Sequence, residues 1–104
     1  MDKKARNYVS FIGTIEREPR VFSGDKPLVS LFLKGDTERG NIHISAVARG
    51  ELAQKLLLKA GSWGVGDEIY VEGELDWESY KTNSDEKKYQ TVISAKNIYR
   101  IEGV

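Results

Sequence analysis

The sequence predicts a small all-β domain in which five strands close a Greek-key barrel, with one helix between the third and fourth strands. Three observations carry this expectation. Five segments are β-branched, aromatic or alternating, one segment is built of helix formers, and their order is three strands, a helix and two strands. With 104 residues there is room for a single domain, expected to span 1–104 with a flexible basic N-terminus at 1–6. A chain this short buries only a modest core, so association with further copies would help it.

The first strand is read over residues 7–15, which are rich in β-branched and aromatic side chains. Glu18-Pro19-Arg20 and Ser23-Gly24-Asp25-Lys26-Pro27 punctuate the chain as turns. From Leu28 to Lys34 the pattern alternates, placing Leu31 and Leu33 inward and Ser30, Phe32 and Lys34 outward. Residues 35–40 are polar and read as a hairpin loop. Asn41 to Ala48 alternates again, with Ile42, Ile44, Ala46 and Ala48 inward and Asn41, His43, Ser45 and Val47 outward. Glu51 to Ala60 is composed of strong helix formers, and Gly61 suits the helix end. Trp63, in the Gly-rich exit loop, is either a plug beneath the helix or an exposed anchor. Asp67 to Tyr80 is a long strand with Ile69, Val71, Gly73, Leu75 and Trp77 on one face, so Trp77 is expected in the core. A loop over 82–86 leads to the last strand, Lys87 to Arg100. This is the layout of an OB-fold barrel. The order by itself also fits other small α+β folds, so the local residues must decide.

Composition narrows the function classes. There is no cysteine, which excludes disulfides, zinc ribbons and cysteine nucleophiles. A single histidine, with no P-loop and no nucleophile elbow, leaves no catalytic residue to name and no metal or cofactor to expect. The charged start Met1-Asp2-Lys3-Lys4 has no apolar stretch behind it, and no apolar run approaches membrane length. A soluble intracellular protein is therefore expected, with no membrane partner. Net charge is zero but unevenly placed, +3 over residues 1–49 and −3 over residues 50–104. A dedicated nucleic-acid binder usually has a basic excess.

Several stretches resemble the bacterial and organellar single-stranded DNA-binding (SSB) family. Val9-Ser10-Phe11-Ile12-Gly13-Thr14-Ile15 followed by Glu18-Pro19 is similar to its first strand, and Gly50-Glu51-Leu52-Ala53 to its helix start. Gly66-Asp67-Glu68-Ile69-Tyr70-Val71-Glu72-Gly73-Glu74-Leu75 is similar to its fourth strand and is the most specific match. The shortness of the chain also resembles the small SSB-like proteins of cyanobacteria and plastids. Full-length members of the family carry a Gly/Pro-rich linker and an acidic tip that recruits other proteins. Here the sequence stops at Ile101-Glu102-Gly103-Val104, so either a tail was removed or that recruiting role is missing.

The resemblance implies sequence-nonspecific binding of single-stranded DNA in replication, repair or recombination, with RNA an open alternative. Such binding needs cations for phosphates and aromatic faces for bases. The candidate contacts are Phe32 and Lys34 on the second strand, Arg39 on its hairpin, and His43 and Arg49 on the third strand. Tyr80, Lys81, Lys87, Lys88 and Tyr89 flank the last hairpin. His43 and Tyr80 fall where the family carries stacking tryptophans. Phe32 could instead pack in a subunit interface, and His43 could be an ordinary exposed strand residue. The resemblance also implies a homodimer or homotetramer formed through Asn7, Tyr8, Val9, Ser10 and Phe11. One departure stands out. Asp67 to Glu78 holds six acids and no Lys or Arg, and Glu74, Asp76 and Glu78 read as a solvated acidic face. Acids repel phosphate and lower the number of counterions released. Weakened affinity is therefore expected, with an SSB-derived accessory or protein-interaction subunit as the alternative, in contact with replication or repair proteins.

Overall fold

The structure, a computed structural model, describes residues 7–102; the basic N-terminus expected at 1–6 lies outside the described residues. Along the chain run β1 (Val9–Ile15), β2 (Arg20–Phe22), β3 (Leu28–Thr37), β4 (Gly40–Arg49), α1 (Gly50–Ala60), β5 (Glu68–Lys81) and β6 (Lys87–Arg100). Five of these strands close a barrel in the order β1-β5-β6-β4-β3, and β3 returns to β1 at Thr14↔Lys34 and Ile15↔Leu33. The pairings are antiparallel except β4 with β6, which is parallel. With α1 between β4 and β5, this is the expected OB fold.

Alternation places the core as the sequence predicts on β3, where Val29, Leu31 and Leu33 are fully buried. Each such side chain contributes about 1.5–3 kcal/mol by leaving water. Ile15, Ala46, Ala48, Ile69, Val71, Ile93 and Ile98 complete the barrel interior. The helix turns Ala53, Leu56 and Ala60 onto it, and Trp63 plugs the space beneath at 7% exposure. Of the two expectations for Trp63, the plug is the one found.

Three departures have physical causes. β2 lies between two stretches read as turns, overlapping the first at Arg20, and its pairing with β3 runs Arg20↔Ser30 to Phe22↔Leu28. All three of its residues are exposed, so it carries no alternation to detect. The loop expected at 35–40 is mostly strand, and only Glu38 and Arg39 form the turn. Gly35 is glycine because the Phe11 ring covers it; a Cβ there would lie 2.5 Å from Phe11 Cζ. Trp77, expected in the core, is 64% exposed. It keeps the phase of Ile69 and Val71, but β5 and β6 run on past the barrel. The ladder continues to Lys81↔Lys87, whereas β1 stops at Val9↔Gly73 and β4 at Ser45↔Val92. Leu75, on the same face, is also exposed.

The projecting ribbon starts at a bulge. Glu72 pairs with Asn97 and Gly73 with Ala95, leaving Lys96 as the extra residue. Bulges bend and twist a strand. Close backbone approach demands glycine here, because a Cβ on Gly73 would lie 2.0 Å from the Ser94 carbonyl oxygen.

Candidate nucleic-acid interface

The bent ribbon overhangs the outer face of β3 and β4 and makes a groove there. Val47, expected outward, is only 3% exposed; Ser45 and Val92 on the same outer face are buried too. One stretch of the groove, about 620 Å³, is lined by Glu16, Arg17, Phe32, His43, Ser45 and Gln90. The next, about 400 Å³, shares Arg17, Phe32, Ser45 and Gln90 and adds Arg20, Phe22, Val47, Glu78 and Tyr80. Three aromatic side chains therefore line one continuous concavity.

Phe32 lies at its centre. The Arg17 guanidinium sits 5.2 Å and the Arg20 guanidinium 5.6 Å from its ring centroid. Cations at that range are attracted to the ring face. Neither arginine makes an ion pair among the described residues, so both are available to phosphate. Sequence reading missed this pair. Arg17 and Arg20 sit near turn residues; the hydrogen bond from the Glu16 N–H to the Phe32 carbonyl brings Arg17 to β3, and β2 pairing brings Arg20 there.

The other candidates divide into groups. His43 lines the groove and its Nδ1 donates to the Glu16 carboxylate, 2.8 Å and 2.9 Å from the two oxygens. Arg49 is held by Glu78 across the groove, so neither is the free group expected. Tyr80 lines the groove. Lys34 lies apart, near Thr14, Asp36 and Val65, and Arg39 is in the β3–β4 turn. Lys81, Lys87, Lys88 and Tyr89 cluster near the ribbon tip. There the Lys87 ammonium is 5.8 Å from the Tyr89 ring centroid, and Trp77 meets Tyr89 edge-on with centroids 5.2 Å apart.

The strand expected to pair subunits has an open edge. β1 pairs with β5 from Val9 to Thr14, but β3 reaches it only at Thr14 and Ile15. Val9 and Phe11 pack inward against the core, whereas Tyr8 and Ser10 are exposed. Asn7 exchanges two hydrogen bonds of 2.8 Å with the Leu75 backbone. On the outer face the Glu72 carboxylate accepts from Tyr70 and Tyr8 at 2.8 Å each and from Asn97 at 3.3 Å. These donors hold its carboxyl below the ordinary value, Tyr70 most. The reciprocal effect, chiefly the bond to Glu72, pushes the Tyr8 phenol up to about 12.

The model of the single-strand binding protein family matches residues 35–101, from the last residues of β3 to just past the end of β6. The chain belongs to this family. A comparison with curated proteins returns no match. Members of the single-strand binding family are non-enzymatic proteins that bind single-stranded DNA, and the groove described above lies on the barrel that this chain shares with them. The matched span begins after Phe32, so Arg17, Arg20, Phe32 and all of β1 lie outside it.

Proposed function

We propose that this barrel binds single-stranded DNA without sequence preference along the groove beneath the β5–β6 ribbon, and does so weakly for its family. The observation that carries the reading is Phe32 flanked by two guanidiniums that make no ion pair among the described residues, facing the same concavity as Phe22 and Tyr80. A base stacked on Phe32 gains about 1–3 kcal/mol while either arginine takes the adjoining phosphate. No base-edge hydrogen-bond pattern is needed, so the binding tolerates any sequence. The affinity is lowered because Glu78 holds Arg49 and Glu16 lines the same groove. Replication, repair or recombination is the setting in which such binding is useful, in bacterial cytoplasm or an organelle stroma. Copies assemble through the open edge of β1, and light scattering tests that part.

The test is fluorescence anisotropy with labelled oligo-dT at low and high salt. Wild type should bind at low salt and release as salt rises. Phe32→Ala should weaken binding roughly five- to 150-fold, the equivalent of one lost base stack. Absence of binding by the wild type at low salt rejects the reading. It would favour instead an accessory subunit working through protein contacts, the alternative that the acidic β5 supports.

A further inference from the structure

The ribbon has two chemically distinct faces. Side chains alternate along a strand. One face carries Glu74, Asp76, Glu78 and Tyr80 from β5 and Lys88 and Gln90 from β6, and Glu78, Tyr80 and Gln90 line the groove. The opposite face carries Leu75, Trp77, Ser79 and Lys81 from β5 and Lys87 and Tyr89 from β6. The Trp77–Tyr89 edge contact and the Lys87–Tyr89 approach place these groups side by side. All the acids in the paired part of the ribbon are on the groove side. Asp85 and Glu86 belong to the turn beyond the last pair, Lys81↔Lys87.

We propose that this opposite face, Trp77 with Tyr89, Lys81 and Lys87, is a second stacking platform for the same single strand after it leaves the groove and crosses the ribbon edge. Charge decides the occupant. A face that joins two exposed rings to two ammonium groups and bears no carboxylate suits a polyanion with stackable bases. The path is short, because Tyr80 and Trp77 are three residues apart on opposite faces of β5, about 10 Å along the strand. Beyond Gly73, β5 has no β1 partner along its edge, so a strand can pass over it with only the Asn7 side chain there among the described residues.

The inference rests on the groove reading, and the test separates the two. Trp63 is buried and Trp77 exposed, so Trp77 is the tryptophan that a bound base can quench. Oligo-dT of about 30 nucleotides should quench the wild type, and about 8 nucleotides, within the reach of one OB fold, should quench it little. Trp77→Phe should abolish the quenching and nearly keep the affinity. Trp77→Ala should abolish it and weaken the long oligonucleotide roughly five- to 150-fold, leaving the short one within twofold. K81A/K87A should lower the salt dependence on the long strand alone. If Phe32→Ala impairs binding while Trp77→Ala binds the long strand like wild type, the platform is refuted, the groove stands, and the face passes to a protein partner. Equal losses on both lengths would refute the two-face path. Failure of the wild type to bind either length removes the groove reading as well.

Discussion

Replacing Glu78 by Gln should make this protein bind single-stranded DNA more tightly. The Glu78 carboxylate holds the Arg49 guanidinium across the groove, with side chains 31% and 48% exposed respectively. A half-exposed pair of this kind contributes about 0–1 kcal/mol to folding, so the variant should melt close to wild type. Its effect on binding is larger. Releasing Arg49 adds one phosphate contact, and each contact to a single strand steepens the plot of log K against log salt by about 0.7. At about 0.1 M monovalent salt that contact is equivalent to roughly a fivefold gain in affinity, and at about 0.02 M to roughly fifteenfold. Anisotropy titrations of labelled oligo-dT over that salt range measure both quantities. A cycle with Arg49→Ala isolates the cause. Removing Arg49 should cost little in the wild type, where it is occupied, and about fivefold in the Glu78→Gln background. An unchanged slope and affinity in Glu78→Gln, or equal costs of Arg49→Ala in both backgrounds, would refute the reasoning.

Other outcomes follow from the same structure. The double substitution R17A/R20A removes the two guanidiniums beside Phe32 and should flatten the salt slope by about 1.4, with the melting temperature nearly unchanged. Gly73→Ala sets a methyl group 2.0 Å from the Ser94 carbonyl oxygen and forces the bulge open. It should cost about 2 kcal/mol or more, a fall in Tm of roughly 8–16 °C by calorimetry. The Glu72 cluster should shape stability against pH. The carboxyl lies below its ordinary 4.5 in the folded state, so its contribution is complete above 4.5 and lost as pH falls through the lowered value. Tyr8 is raised from 10.0 to about 12, so its contribution is complete below 10 and lost as pH rises towards 12. Thermal melts of Glu72→Gln should show a flatter profile at both ends, and an unaltered profile would count against the cluster.

Local pattern made the barrel legible. Leu31 and Leu33 alternate with Ser30 and Phe32, and those residues face where the pattern places them. The helix and the long β5 were readable because each keeps one period, and the bounds of β6 because it is long and flanked by polar residues, although its bulge at Lys96 breaks the alternation. Trp77 shows where this reasoning ends. Alternation reports which face a side chain takes, not whether another layer covers that face. Trp77 has the phase of the core and lies past its edge. Arg17, Arg20 and the Arg49–Glu78 pair were illegible for a different reason. Their partners are distant in sequence, 29 residues in the case of Arg49 and Glu78, and only strand pairing and ribbon bending bring them together. β2 was missed because a three-residue, wholly exposed strand has no buried face to betray it.

Zero net charge looks incompatible with a DNA-binding family only if charge is averaged over the chain. Counterion release depends on the phosphates neutralised, and that is set locally. Among the described residues, Arg17 and Arg20 in the groove have no ion-pair partner, and Arg49 is held by Glu78. At about 0.1 M salt two free contacts supply about 1.4 log units, roughly 25-fold, which is small beside the demands of coating exposed DNA. If copies pair through the open edge of β1 and one strand crosses two grooves, the same term doubles to about 2.8 log units, roughly 600-fold. Association would then convert a weak barrel into a useful binder. It follows that substitutions that break the β1 edge should lower affinity for long strands far more than for strands short enough to occupy a single groove.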